Sequence, residues 1–168
     1  MSRMHKAVDV LGLPVVSLDS GEEIGVVRDI FCDKQLRVVG VVLQEHTWLS
    51  PGKYVPTEHI HAVGEDYLTI DSKDAVASMC TIAKNETMSL VTGVCKLKGK
   101  PVVTERGEYL GRVEDVYFSK NWDKLVAYEL SDGWITDVTV GRKRLPAELS
   151  FTFGKENIVV PDSTRIMA

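Results

Sequence analysis

Apolar and polar positions along this chain alternate in short runs broken by glycine and proline, the pattern of β-strands joined by tight turns. Val15-Val16-Ser17-Leu18 leads into the turn-forming cluster Asp19-Ser20-Gly21-Glu22 and then into a β-branched run from Ile24 to Phe31, which predicts a hairpin. Within the second run the apolar positions 24, 27 and 30 lie three apart, a spacing that a helix would also give. Gly25 inside the run argues against a helix, and a bulge in a bent strand produces the same slip from strict alternation. Further strands are predicted at 37–44, at 53–56 ending in Pro56, and at 66–70. Ala75, Val76, Met79, Ile82 and Ala83 then recur at helical spacing after Ser72-Lys73-Asp74, predicting a linker helix near 73–84. Its apolar stripe would bury in a groove between two barrels or against a second molecule.

The same pattern then returns. Gly12-Leu13-Pro14-Val15-Val16-Ser17 recurs as Gly99-Lys100-Pro101-Val102-Val103-Thr104, and the stretch from Gly21 to Ile30 recurs from Gly107 to Val116 with Gly25 matched by Gly111 and Asp29 by Asp115. The offset is 87 in the first block, 86 after the turn, 87 again across 38–43 and 125–130, and 90 from Lys53 and Lys143 onward. Length changes therefore fall at turns and in one longer loop, where they cost little. The duplication predicts an all-β protein of two tandem small β-barrels related by pseudo-symmetry, a first at 1–72 and a second at 92–168, joined by a linker at 73–91 with a short helix. It also supplies an internal control: a residue that serves folding has a counterpart of like character, and a residue with a special task need not.

Charge is distributed unevenly between the copies. Residues 12–76 hold five Lys/Arg against eleven Asp/Glu, a net of −6, whereas residues 99–166 hold ten against eleven, a net of −1. The chain as a whole carries −4, so nucleic acid, whose binding draws on neutralised phosphates, is a poor general partner. Three cysteines without a C-x-x-C pair fit neither a disulfide framework nor a zinc site, and Cys32 and Cys95 align with Phe118 and Val8 as small buried hydrophobes. No apolar run approaches the ~18 residues of a membrane-spanning helix, and Met1-Ser2-Arg3-Met4-His5-Lys6 lacks the apolar stretch of a signal peptide, so a cytoplasmic location is expected.

The run Gly-x-Pro-Val-Val followed by Gly-Glu-x-Ile/Leu-Gly-x-Val-x-Asp, present twice, resembles the PRC-barrel superfamily. That group includes the cytoplasmic domain of the photosynthetic reaction-centre H subunit, the C-terminal domain of RimM and small sporulation-associated proteins of the YlmC/YmxH type. The resemblance implies a barrel of about six strands that serves as a binding or assembly module, without catalysis or cofactor, with sporulation as one setting. It also implies a runner-up role as a ribosome or RNA-processing accessory, by likeness to the RimM barrel.

Candidate chemistry is weighed against the repeat. His59 and His61, with His46 or Glu58, could ligate a metal, yet their counterparts are Leu149 and Phe151, which favours half-buried imidazoles held by hydrogen bonds. Asp29 and Asp115 sit inside apolar strands, where a carboxylate needs donors; presence in both copies points to backbone N–H groups freed by the bulge. Gly21, Gly25, Gly107 and Gly111 complete this shared structural motif. In Arg142-Lys143-Arg144, residues 142 and 144 point one way and 143 the other; ordinary solvated charge competes with recognition of a phosphate or an acidic partner. Trp48 and Trp134 lie in matching loops, where they either cap a barrel end or anchor a partner. No phosphate loop, nucleophile elbow or Ser/His/Asp order is present. The expected function is a non-catalytic protein-interaction or scaffold module, open to self-association, with partner contacts at Trp48, Trp134, Arg142 and Arg144.

Overall fold

Turn chemistry sets the first contacts. Gly21 and Gly107 adopt φ +72° and +88°, a left-handed backbone that glycine enters without steric penalty. Their N–H groups close the turns on Ser17 O at 2.8 Å and Thr104 O at 2.9 Å. In the computed structural model, which describes residues 4–44, 52–83, 86–93, 96–131 and 142–167, these turns join β2 (Pro14–Ser17) to β3 (Glu23–Asp33) and β10 (Pro101–Thr104) to β11 (Tyr109–Phe118). Both long strands are bulged. Register shifts fall between Val15 and Val16 opposite Gly25, and between Val102 and Val103 opposite Gly111. A second pair of shifts falls at Val27/Asp29 and Val113/Asp115.

The chain is all-β and forms two units, one of residues 7–88 and one of residues 1–6 together with 89–168. In the first unit, β4 (Val38–Gln44), β5 (Lys53–Pro56), β6 (Ile60–Val63), β7 (Leu68–Ile70) and β8 (Ala77–Ser78) extend the hairpin into a sheet of order β6-β7-β2-β3-β4-β5-β8. β9 (Thr87–Ser89) adds to β3. In the second unit, β12 (Leu125–Ser131), β13 (Lys143–Pro146), β14 (Thr152–Phe153) and β15 (Ile158–Val160) give the order β13-β12-β11-β10-β15-β14, the same order strand for strand. Among the described residues each unit has one parallel pair, Val15 facing Leu68 and Val102 facing Ile158. The cores repeat as well: Val15, Val27, Leu68 and Ile70 in the first unit match Val102, Val113, Ile158 and Val160 in the second, all essentially inaccessible. Each such side chain contributes on the order of 1.5–3 kcal/mol on burial.

Two features depart from the sequence reading. β1 (His5–Lys6), at the start of the stretch read as the first barrel, pairs with β11 of the second unit, Lys6 opposite Tyr117. The linker helix near 73–84 does not form. Residues Lys73–Ala75 and Met79–Thr81 make single 3-10 turns on either side of β8. The hydroxyls of Ser72 and Ser78 accept from the N–H groups of Asp74 and Cys80, starting a new turn at each serine instead of extending one helix. β8 pairs with β5, Tyr54 opposite Ala77, and the apolar spacing is satisfied within the first unit: Ala77, Met79 and Ile82 pack on Phe31, Val42 and Tyr54.

Candidate interaction site

The site begins from one residue that breaks the apolar pattern of its strand. β12 reads Leu125-Val126-Ala127-Tyr128-Glu129-Leu130, and Glu129 is 4% exposed at the position that Val42 fills in the first unit. A buried carboxylate is tolerated where donors converge on it. Here Oε2 accepts from Lys6 Nζ at 2.7 Å and from the Tyr117 hydroxyl at 2.9 Å, and Oε1 accepts from an Arg142 guanidinium nitrogen at 2.8 Å. Burial opposes the charge, but the hydrogen bonds from Lys6, Arg142 and Tyr117 outweigh it and hold the carboxyl at about 2. The same hydrogen bond raises the Lys6 ammonium above its ordinary range.

Register explains the convergence. Lys6 lies opposite Tyr117 on β11 and Glu129 lies opposite Arg144 on β13, while Tyr117 and Glu129 are diagonal neighbours across β11 and β12, so the tyrosine hydroxyl joins the two pairs into one row. The Arg144 guanidinium rests 4.4 Å from the Tyr117 ring centroid, and Lys6 stands 5.5 Å from the same ring. β1 is held at its other residue by His5, whose ring stacks on Trp122 at 4.8 Å. The first unit builds the equivalent row from Phe31, Val42 and Tyr54, with Phe31 and Tyr54 edge to face at 5.3 Å, and covers it with residues 77–82. Identical strand geometry thus carries an apolar, covered row in one unit and a charged row in the other.

The two repeats coincide with two matches to one family model, described as the PRC-barrel domain, at residues 3–76 and 92–165. The chain belongs to the PRC-barrel family. It is also similar to an uncharacterized protein, YrrD, of Bacillus subtilis (strain 168), at 28% identity over 143 residues that span 82% of this chain and 75% of the relative.

Other residues singled out in the sequence are placed as follows. Arg142 and Arg144 both reach the Glu129 row of the second PRC-barrel repeat, Arg142 as an ion pair and Arg144 on the tyrosine ring. Trp48, Trp134, His46 and Cys95 lie outside the described residues. His59 ends a 3-10 turn and His61 is on β6, each 3.9 Å from a carboxylate oxygen of Asp71. His59 is half-buried, whereas His61 is more open than expected, 62% exposed, because β6 is the outer strand of its sheet. Among the described residues no group of three or more His, Cys, Asp or Glu is placed to hold a metal ion. The Oδ1 atoms of Asp29 and Asp115 accept the N–H of Ile30 and Val116, each at 2.8 Å, beside the bulges of both PRC-barrel repeats. Among the described residues no helix is long and apolar enough to cross a membrane.

Lys6, Tyr117 and Glu129 were not legible as a site in the sequence. The available signal was the repeat itself, which sets a glutamate against Val42 in an otherwise apolar strand.

Proposed function

We propose that this chain is a non-catalytic protein-interaction module in which the charged row of the second repeat receives a segment of a partner protein. The observation that carries this reading is the first unit, where the corresponding row is covered by a short peptide segment, residues 77–82, that continues from a strand paired on β5. The second repeat keeps the strand order and the row but lines it with ionic side chains, two of which stay partly open: Lys6 is 39% exposed and Arg142 44%. Ionic groups at the margin of an aromatic platform suit selective recognition, because a mismatched partner leaves them desolvated and unpaired. Trp48 and Trp134 keep their proposed role as loop anchors, each for its own repeat.

The test is site-specific photo-crosslinking in native lysate with the photoreactive residue at Pro146, two residues on from Arg144 along β13 and so on the same face. The reading expects a discrete adduct that excess unlabelled protein competes away and that the same probe at Lys34, on the first unit, does not form. Trp134→Ala should weaken it. Equal, non-saturable labelling at both positions would defeat the proposal.

A further inference from the structure

We infer that the face formed by Lys6, Tyr117, Arg142 and Arg144 binds an acidic segment of the partner, one that presents two carboxylates two residues apart in an extended conformation. This rests on the interaction-module reading above and names the chemistry of its ligand. Lys6, Arg142 and Arg144 gather around Glu129 and Tyr117, so among the described residues the row is rich in cations within a chain that is acidic overall. Arg144 is the decisive member. Its backbone is tied to Met167 in both directions, at 2.6 Å and 2.8 Å, and its guanidinium lies over the Tyr117 ring at 4.4 Å, yet among the described residues no carboxylate pairs with it. A guanidinium oriented in advance by an aromatic face loses little further freedom when it grips a carboxylate, which is why this arrangement serves bidentate recognition.

Spacing supplies the ligand's pattern. Arg142 and Arg144 are two apart on an extended segment and converge on the same row, one through Glu129 and the other through Tyr117. Acidic side chains at i and i+2 of an extended ligand likewise project from one side. In the first unit the chain itself covers the row, Ala77 pairing with Tyr54 and the following residues turning over it, whereas in the second unit Met167 bridges Arg144, so a ligand meets the side chains of the row and not the strand edge. There the covering side chains are Met79 and Ile82 on Phe31, Val42 and Tyr54; over Tyr117, Glu129 and Arg144 the complementary covering is acidic.

Carboxylates are favoured over the phosphates of RNA for two reasons. The second repeat is itself net −1, and Glu129 sits at the centre of the row, so a long polyanion would meet repulsion on every side of a small positive spot. A short acidic segment needs only that spot.

The test uses the full chain and three fluorescent probes: a seven-residue peptide with Glu-Val-Glu at its centre, its Gln-Val-Gln counterpart, and a ten-nucleotide oligouridine. Anisotropy and amide chemical shifts would be followed up to about 5 mM peptide, which detects even a weak contact. The Glu-Val-Glu peptide should bind at least about ten-fold more tightly than the Gln-Val-Gln peptide, weaken with salt, and shift amides of β12 and β13. Arg144→Gln, and independently Arg144→Tyr, which places the first repeat's residue there and guards against misfolding, should each reduce binding about five-fold or more with an unchanged melting temperature. Equal binding of the two peptides, indifference to both variants, or absence of any peptide binding would overturn the acidic ligand. Tighter binding of oligouridine with displacement of the peptide would also overturn it and make RNA the occupant. If the peptides fail while the adduct at Pro146 persists, the interaction module stands and only the ligand chemistry falls; if the adduct is also lost, both fall.

Discussion

Single residues in this protein are explained by what would be left unpaired without them. Asp29 is fully buried in a strand whose register slips beside it, and its Oδ1 takes the N–H of Ile30; Asp115 does the same for Val116. Asp29→Ala should therefore lower unfolding free energy by about 1–3 kcal/mol, whereas Asp29→Asn, which keeps an acceptor, should cost less. Urea unfolding of the two variants checks the ordering, and equal losses would mean that the acceptor is not the reason for the residue. Cysteines divide by the same logic of surroundings. Burial pushes the Cys32 thiol up to about 12, while Cys80 is exposed. Iodoacetamide at about pH 8 should label Cys80 in the folded protein and reach Cys32 only after unfolding, a difference that peptide mass mapping reads directly.

At the scale of elements, a strand is specified by its own residues, but what covers it is not. The long strands β3 and β11 follow from β-branched runs interrupted by glycine, and Gly111 shows why the interruption cannot be relieved. Its φ is +138°, and an added Cβ would stand 3.1 Å from Ser131 O, so an alanine there meets both strain and backbone. The segment 73–83 had the apolar spacing of a helix and formed two turns and a short strand, since Ser72 and Ser78 offered local acceptors and β5 offered a partner. The charged row yields an element-level prediction. Glu129→Ala strands the Tyr117 hydroxyl and two cations and should cost about 2 kcal/mol, a figure that allows for the solvent reaching Lys6 and Arg142. Replacing Tyr117, Glu129 and Arg144 together by Phe, Val and Tyr, the residues of the first repeat, should cost less than Glu129→Ala, because it removes the Tyr117 hydroxyl and refills the row with larger side chains, while Lys6 and Arg142 are open enough to be hydrated. Denaturant midpoints of the two variants decide it, and a triple variant less stable than Glu129→Ala would refute the shared geometry of the rows.

For the molecule as a whole, the ionic row makes one unit respond to acid where the other has apolar contacts. Glu129 is held at about 2 in the folded state against 4.5 for the ordinary group, so the folded state binds fewer protons than the unfolded chain across that interval. The stabilisation is complete above about pH 4.5 and is lost as pH falls toward 2. Hydrogen exchange of the β11 and β12 amides should accelerate through that window, and the triple variant should flatten the response in those strands. An unaltered profile would show that the carboxylate's partners do not stabilise the fold.

The sequence by itself determined that a β unit was written twice, where its turns and bulges fall, and which apolar positions form each core. These properties depend on side-chain alternation and turn residues, which act between near neighbours in the chain and so survive in a linear reading. Only the tertiary structure decided that β1 completes the second unit, that residues 77–82 cover the first, and that Lys6, Tyr117, Glu129, Arg142 and Arg144 form one row. Those groups are distant in sequence, and what joins them is the energy of pairing strand edges and satisfying one buried charge, a quantity that exists only once the strands lie side by side.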